Sequence, residues 1–260
     1  MEEQIPKILH LVWFGRNPYS KIVNYCLESW KKYCPDYEIM IWNEDSFDIN
    51  SNQWAKEAYE AKKYAFVSDY VRLYALYNYG GIYLDTDVEL IDNIDFLLSN
   101  EAFSGYSSDF WLNTAFMGSV KGNLWIKILL EYYNDRHFKN KDGNLETAEN
   151  NQIITKQSVE KCNFMLGDRF IDYGHVVLYD EDVFQPYKKC FFDLNSEENL
   201  NHIHDFYDIK DGKTISIHHF TASWDDSRNG ILFKIKAIIR KRLPRKYVEN
   251  LRKIYYKIFK

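Results

Sequence analysis

The stretch AFVSDYVRLYALYNYGGIYLDTDVEL, Ala65–Leu90, carries the main chemical signal of the chain. It predicts a helix that ends at Gly80, then a short apolar strand from Gly81 that runs into an Asp-Thr-Asp triplet. The carboxylates of Asp85 and Asp87 repel each other, and their burial is unfavourable unless a cation or hydrogen-bond donors compensate. A hard divalent cation that keeps positions open for phosphate oxygens would satisfy them. The stretch therefore indicates phosphate-linked chemistry at the end of a strand.

Strand and helix patterns alternate on both sides of this stretch. The predicted strands are Lys7–Phe14, Tyr37–Trp42, Gly81–Asp85, Ala102–Tyr106, Leu112–Met117, His175–Tyr179 and Thr214–His218. The predicted helices are Tyr19–Tyr33, Asn52–Lys63, Ala65–Tyr79 and Asn123–Asp135. The alternation over the first ninety residues predicts an α/β fold with a parallel sheet, in which ligands bind at the carboxyl ends of strands.

The composition is that of an ordinary globular protein with many aromatic residues. Of 260 residues, 46% are hydrophobic, 27% are charged and 17% are aromatic, with 21 Tyr. The aromatic content fits a protein whose rings stack on sugars, and equally a Tyr-rich core. The four cysteines form no CxxC pair, which favours free thiols in a reducing compartment. They are Cys26, Cys34, Cys162 and Cys190.

The C-terminal segment differs in charge from the rest of the chain. Residues 231–260 carry eleven Lys or Arg against the single acidic Glu249, in two amphipathic pieces that Pro244 divides. This predicts a catalytic domain over residues 1–228 and a basic amphipathic helical tail over 229–260. We expect the tail to lie on an anionic membrane surface, or alternatively to pack on the domain. With no signal peptide or membrane span in the sequence, the expected location is cytoplasmic, peripheral on the inner face of the membrane.

Four ordered segments resemble one known family. They are IPKILHLVWFG at Ile5–Gly15, CLESWKKYCPDYEIMIWNEDSF at Cys26–Phe47, the stretch around Asp85–Asp87, and IHHFTASW at Ile217–Trp224, with a weaker match in VLYDEDVFQPY at Val177–Tyr187. Together they resemble the DXD-containing glycosyltransferase sugar-binding region family. That family has the GT-A fold and includes the yeast initiating α-1,6-mannosyltransferase and bacterial capsular polysaccharide transferases. It is related to the glucosylating domains of large bacterial toxins.

The resemblance implies a fold, a reaction and its partners. The fold would be a GT-A-type, Rossmann-like mixed sheet flanked by helices. The enzyme would use Mn²⁺ or Mg²⁺ and move a hexose or N-acetylhexosamine, with retention, from a nucleotide-diphosphate sugar. The acceptor would be a glycan or lipid-linked saccharide in capsular, exopolysaccharide or surface-glycan synthesis. No nucleic-acid partner is expected.

The same resemblance implies roles for individual residues. Asp87 would ligate the metal directly, with Asp85 beside it on the metal or the nucleotide ribose. Asp69 and Arg72, three residues apart on one helix face, would hydrogen-bond the donor sugar as part of the catalytic set. Their alternative role is a local ion pair that contributes little to stability.

Aromatic residues and the closing motif supply the remaining expected contacts to the donor. Trp13 would stack on the nucleotide base rather than serve as a core tryptophan, and Tyr83 would assist it or belong to the core. Trp224 would lie against the diphosphate, with Ser223 as a weaker candidate.

The closing motif contains two adjacent histidines, His218 and His219. At the end of a strand their side chains point to opposite sides, so only one of them can face the metal. We slightly favour His219, because it is nearer Ser223 and Trp224. Histidine is a departure from the toxin relatives, which use a carboxylate and a serine here, but imidazole with carboxylates still suits Mn²⁺.

Two other classes of protein remain open at this point. YLDTDV also fits the signature of a haloacid-dehalogenase-type phosphatase, in which Asp85 would be the nucleophile, Asp87 the acid/base, and Asp225 with Asp226 the distal metal pair. That motif normally lies near the start of its domain, whereas two strands precede it here. A non-catalytic carbohydrate-binding or membrane-adaptor protein would explain the aromatic content and the tail, but not the Asp triplet with Asp69 and Arg72.

Overall fold

The computed structural model describes residues 4–108, 111–188, 194 and 196–221. The chain divides into two compact units. The first is Met1–Pro186 with Ile209–Thr221, and the second is Tyr187–Asp208 with Ala222–Lys260. The predicted boundary after residue 228 and the predicted tail lie outside the described residues, so both stay predictions.

Ten strands occur among the described residues. They are β1 (Ile8–Val12), β2 (Glu38–Trp42), β3 (Gly81–Leu84), β4 (Val88–Leu90), β5 (Ala102–Ser108), β6 (Trp111–Leu112), β7 (Phe116–Ser119), β8 (Phe170–Ile171), β9 (Val176–Tyr179) and β10 (Ser216–His218). The α-helices within the same ranges are α1 (Lys21–Tyr33), α2 (Gln53–Glu60), α3 (Tyr64–Tyr79), α4 (Leu124–Glu131), α5 (Asn150–Cys162), α6 (Glu181–Phe184) and α7 (Glu197–Asn201). Helix α7 belongs to the second unit, where Ser196 caps its first turn.

The main sheet is mixed. Its order is β2-β1-β3-β7-β5-β9-β8, with β6 paired to β5. Strand β1 pairs in parallel with β2 and β3, while β7 is antiparallel to both β3 and β5. The predicted parallel arrangement is confirmed for the first three strands, and the predicted mixed α/β sheet flanked by helices is confirmed for the whole. Six of the seven strands expected from the sequence are present within a few residues of their predicted bounds. The predicted strand Leu112–Met117 is instead divided between the end of β6 and the start of β7.

Strand β3 shows why this sheet needs helices on both faces. All four of its residues are buried. Ile82 and Leu84 belong to one apolar cluster, which includes Trp30 of α1, whereas Tyr83 belongs to the other, which includes residues of α2, α3 and α4. Successive side chains of a strand point to opposite faces, so a strand that is apolar throughout is stable only between two packed layers.

The turn from α3 into β3 depends on two glycines. Gly80 and Gly81 have φ of 70° and 104°, in the left-handed region that favours glycine. A Cβ on Gly81 would lie 2.8 Å from the carbonyl oxygen of Ile8 in the neighbouring strand. These residues let the helix end and the strand begin without a connecting loop, which fixes where β3 delivers its last residue.

A second, two-stranded sheet pairs β4 with β10 in antiparallel fashion, and β4 was not predicted. His218 lies opposite Val88, and Ser216 lies opposite Leu90. Helix α1 holds β4 in place, since the indole of Trp30 donates to the carbonyl of Val88 at 2.7 Å. This pairing brings the closing motif to the Asp-Thr-Asp triplet.

Two further sequence expectations can be compared with the structure. Cys26, Cys34 and Cys162 are free and buried, as expected, whereas Cys190 lies outside the described residues. Among the residues that the structure describes, no helix combines the length and apolar character that a bilayer crossing requires.

Candidate active site

The candidate site lies at one edge of the main sheet. Strands β1, β2 and β3 run parallel, so the residues that follow them emerge at the same edge. These residues are Trp13 after β1, Asn43 after β2 and Asp85 after β3. The prediction that the triplet stands at the carboxyl end of a strand is therefore correct.

The Asp triplet forms a tight turn between β3 and β4. The backbone N–H of Asp85 donates to the carbonyl of Ala115 at 2.8 Å, and the N–H of Val88 donates back to the carbonyl of Asp85 at 2.9 Å. The hydroxyl of Tyr83 donates to Oδ1 of Asp85 at 2.6 Å. Tyr83 thus orients a carboxylate of the triplet from within the core.

Asp87 is buried, and both of its carboxylate oxygens have partners. Oδ1 lies 3.2 Å from Nε2 of His218. Oδ2 accepts hydrogen bonds from the backbone N–H and the hydroxyl of Thr221, each at 2.7 Å. Burial alone would raise the pKa of Asp87, but His218 and Thr221 outweigh it and hold that pKa well below its usual range. Asp87 is therefore an anion in a largely desolvated place.

The structure corrects the preference between the two histidines. Nε2 of His218 lies 3.2 Å from Oδ1 of Asp87 and 3.9 Å from Oδ2 of Asp85. His219 is fully buried on the other side, where its Nε2 lies 3.2 Å from Oε2 of Glu89. The prediction that the two rings point apart is correct, but the preference for His219 is wrong. The register of β10 against β4 decides which ring faces the carboxylates.

Asp85, Asp87 and His218 fit a divalent cation. Each offers a ligand atom, and these atoms all lie within 4.8 Å of one another. Two carboxylate oxygens and an imidazole nitrogen form a donor set that suits Mn²⁺. Among the described residues, no group hydrogen-bonds the buried Nδ1 of His218, while the carboxylates of Asp87 and Asp85 outweigh the effect of burial and raise the pKa of this imidazole. A cation bound here would neutralise the charge of the two carboxylates in place of a protonated imidazole.

Asp69 and Arg72 form a buried ion pair on α3, three residues apart as the sequence indicates. Nη2 of Arg72 lies 2.9 Å from Oδ1 of Asp69 and 3.5 Å from Oδ1 of Asp85. The guanidinium also donates to the carbonyl of Thr114 at 2.6 Å and lies over the ring of Tyr83, 4.6 Å from its centre. The structure thus places this pair beside the triplet, while its hydrogen bonding to a donor sugar stays a prediction.

Burial of this ion pair disfavours the charged form of Asp69. Burial raises the pKa of Asp69 to about 7, although the guanidinium of Arg72 opposes the shift. Arg72 therefore favours the charged form of Asp69, which burial disfavours. An isolated surface pair would not show this dependence.

Trp13 lines a cavity of about 340 Å³ at the same edge of the sheet. The residues around it also include Arg16, Tyr19, Asn43 and Glu44. Trp13 is half-buried, its indole N–H donates to the carbonyl of Asn17 at 2.7 Å, and it meets the Tyr19 ring edge-on at 5.2 Å. This position suits base stacking, which stays a prediction. Ser223 and Trp224 lie outside the described residues.

Sequence reasoning missed Thr221 as a functional residue. It lies inside the quoted closing motif, between the histidines and the predicted Ser223 and Trp224. A hydroxyl residue in a motif that also supplies a metal-ligand candidate was an available signal. Its partner could not be read from the sequence, because Asp87 is 134 residues away.

Residues 20–104 match the family model described as glycosyltransferase sugar-binding region containing DXD motif. This span runs from α1 into the start of β5 and contains Asp69, Arg72 and the complete triplet. Residues 20–104 are therefore similar to a DXD-containing glycosyltransferase sugar-binding region. The predicted resemblance to this family is confirmed over that span.

Two curated proteins that the chain resembles come from yeasts. Inositol phosphoceramide mannosyltransferase 3 of Schizosaccharomyces pombe is 34% identical over 123 residues, which is 46% of this chain and 34% of that protein. A mannosyl phosphorylinositol ceramide synthase of Saccharomyces cerevisiae is 29% identical over 127 residues, 45% of this chain and 31% of that protein. The chain spans about a third of the length of these curated relatives.

Solved glycosyltransferases resemble the fold more distantly. The PaToxG glycosyltransferase has a TM-score of 0.47 at 17% identity, over 62% of this chain and 71% of its own. The galactosyltransferase LgtC in complex with donor and acceptor sugar analogues has a TM-score of 0.42 at 14% identity, over 93% of this chain and 99% of its own. The family assignment rests on the sequence matches.

Proposed function

We propose that the protein is a metal-dependent glycosyltransferase that moves a hexose or N-acetylhexosamine from a nucleotide-diphosphate sugar to a glycan or lipid-linked saccharide. The proposal rests on one observation: the possible ligand atoms of Asp85, Asp87 and His218 all lie within 4.8 Å of one another. Both Asp residues belong to the span that matches the glycosyltransferase family model. A site of this kind holds a diphosphate through a cation. A non-catalytic adaptor would not require it.

Different residues would bind the cation and the sugar of the donor. Asp87, Asp85 and His218 would hold the cation, which supplies Lewis-acid neutralisation of the leaving diphosphate. The Asp69 carboxylate and the Arg72 guanidinium are fixed donors and acceptors for sugar hydroxyls, placed on the helix directly behind the triplet. Because they are buried and already oriented, little reorganisation accompanies binding.

The names of the yeast relatives indicate which donor sugar and which acceptor to test first. The yeast relatives are named as mannosyltransferases of inositol phosphoceramide. Mannose is therefore the first sugar to test, and a lipid-linked hydroxyl is the first acceptor. Retention of configuration, use of Mn²⁺ or Mg²⁺, a role in capsule or surface-glycan synthesis, and peripheral attachment to the cytoplasmic face of the membrane through the tail belong to the same proposal.

The phosphatase alternative has little support. Oδ1 of Asp85, the required nucleophile, accepts the Tyr83 hydroxyl and faces Arg72. Asp225 and Asp226, the required distal pair, lie outside the described residues. The triplet follows the third strand of the sheet rather than the first.

A donor panel tests the proposal directly. Incubation with Mn²⁺ and each of several UDP- and GDP-sugars is expected to release free UDP or GDP from one donor, and EDTA is expected to abolish the release. Restoration by added Mn²⁺ would exclude an unrelated effect of the chelator. Turnover of a generic phosphate ester, with no donor consumed in the presence of a lipid-linked acceptor, would contradict the proposal.

Replacement of Trp13 by Leu tests the nucleotide end of the site. Loss of a base–aromatic stack is expected to weaken nucleotide binding by about 1–3 kcal/mol, which is roughly 5- to 150-fold in Kd. Calorimetric titration with the nucleoside diphosphate and Mn²⁺ measures this. Phe96→Leu is the control, since Phe96 is 50% exposed and follows Asp95 at the start of a separate 3-10 turn. An unchanged Kd for Trp13→Leu would place the base elsewhere.

A further inference from the structure

The two oxygens of Asp87 are not equivalent. Oδ2 receives two hydrogen bonds from Thr221, both at 2.7 Å, whereas Oδ1 faces only Nε2 of His218 among the contacts described above. A carboxylate oxygen that already accepts two short hydrogen bonds has little capacity left for a cation. Oδ1 is therefore the oxygen open to a metal.

The chain is held firmly where Thr221 makes these contacts. The backbone N–H of His219 donates to the carbonyl of Asp87 at 3.0 Å. The ring of His219 reaches Glu89 at 3.2 Å, and the other oxygen of Glu89 accepts the hydroxyl of Tyr25 at 3.0 Å. Tyr25 lies on α1, Glu89 on β4 and His219 directly after β10, so this network joins three elements behind the triplet.

Phe220, between His219 and Thr221, has an unusual backbone conformation. Its φ is 53°, a left-handed conformation that is unfavourable for a bulky side chain. Its ring stacks on His218, with centres 4.0 Å apart. Phe220 links the backbone contact of His219 with Asp87 to the two contacts that Thr221 makes with the same residue. Backbone strain of this kind persists only where the surroundings enforce it.

We propose that Thr221 is a positioning residue that occupies Oδ2 of Asp87, so that Asp87 can bind a cation through Oδ1 alone. This inference rests on the proposed metal-dependent function. Single-oxygen ligation suits a small, six-coordinate cation such as Mn²⁺ or Mg²⁺. Ca²⁺ takes six to eight oxygens and often binds both oxygens of a carboxylate, so Thr221 also disfavours Ca²⁺.

The test is direct metal binding by the full chain. Mn²⁺ binding is monitored by the electron paramagnetic resonance signal of the ion, and Ca²⁺ binding is measured by calorimetry. Thr221→Val removes the hydroxyl while it keeps the side-chain shape and the backbone N–H. Outer-shell partners of metal ligands typically contribute about 10- to 100-fold in affinity. We expect Mn²⁺ binding to weaken by about tenfold or more, and the preference for Mn²⁺ over Ca²⁺ to fall with it. Thr221→Ser is expected to restore both values.

A matched control comes from the same part of the chain. Thr214 is buried, and its hydroxyl donates to the carbonyl of Asp182, away from the triplet. Thr214→Val should leave metal affinity and the Mn²⁺/Ca²⁺ ratio unchanged. If Thr221→Val binds Mn²⁺ with unchanged affinity, or if Thr214→Val loses as much Mn²⁺ affinity as Thr221→Val, the proposed role of Thr221 is wrong. The metal site itself would stand. Failure of the unmodified protein to bind Mn²⁺ would instead overturn the metal site itself, and Thr221's role with it.

Discussion

Asp87→Asn is expected to abolish metal-dependent transfer and to leave the protein folded. Loss of a charged ligand removes several kcal/mol of stabilisation from the developing charge on the leaving diphosphate. A loss of about 3 kcal/mol already corresponds to a decrease in rate of roughly two orders of magnitude. Mn²⁺ binding should weaken in parallel, and both quantities can be measured on the same preparation.

The fold should tolerate this change because asparagine matches the shape of aspartate. Its amide oxygen can still accept the N–H and hydroxyl of Thr221, and a neutral His218 can accept from its amide nitrogen. Asp36→Asn is the control, since Asp36 is an exposed carboxylate paired with Lys7. Activity of Asp87→Asn close to that of the unmodified enzyme at saturating Mn²⁺ would remove Asp87 from the ligand set.

Arg72→Met is expected to have the largest effect on stability. The substitution leaves the carboxylate of Asp69 buried without its guanidinium partner, because the side chains of Arg72 and Asp69 are only 5% and 9% exposed. Removal of one partner of a buried pair typically costs about 3–5 kcal/mol. For a domain of this size, that lowers Tm by roughly 6 to 20 °C. Thermal unfolding followed by circular dichroism measures the shift.

The loss should depend on pH in a defined direction. Burial already raises the pKa of Asp69 to about 7, and removal of Arg72 raises it further. A carboxyl whose pKa is higher in the folded protein than in the unfolded chain loses its favourable contribution as pH rises through the folded pKa. Arg72→Met should therefore be destabilised more at pH 8 than at pH 5.

An exposed ion pair supplies the comparison for Arg72. Arg169 lies 2.8 Å from Asp180, and its side chain is 69% exposed. Arg169→Met should change stability by less than about 1 kcal/mol. Equal shifts in the two variants, or no pH dependence in Arg72→Met, would mean that Asp69 is not an ion whose charge Arg72 maintains.

The pattern of neighbouring residues in the sequence was enough to predict most strands of the main sheet. It also predicted the part of the site that α3 and β3 supply. Strand β3 reads as an apolar run between glycines and an acidic turn, and α3 ends at a glycine, so the position of the triplet follows from neighbouring residues. Asp69 and Arg72 share a helix face because they are three residues apart. Features that depend on residues close together in the sequence were therefore predictable.

The sequence-based predictions failed for features that depend on pairing between distant segments of the chain. Strand β4 has only three residues, VEL, and gives no periodic signal of its own. The choice between His218 and His219 depends on the register of β10 with β4, and a shift of one residue would exchange the two rings. Thr221 was missed for the same reason, since its partner is fixed only once that register exists.

The pairing of β4 with β10 also determines when the site is complete during synthesis. Asp87 and Thr221 are 134 residues apart. At the usual rate of about 5–20 residues per second, the ribosome needs roughly 7 to 27 s to pass from one to the other. Throughout that interval the nascent chain carries the acidic triplet without its histidine and threonine partners. A newly made molecule should therefore remain inert toward nucleotide sugars until β10 has paired with β4.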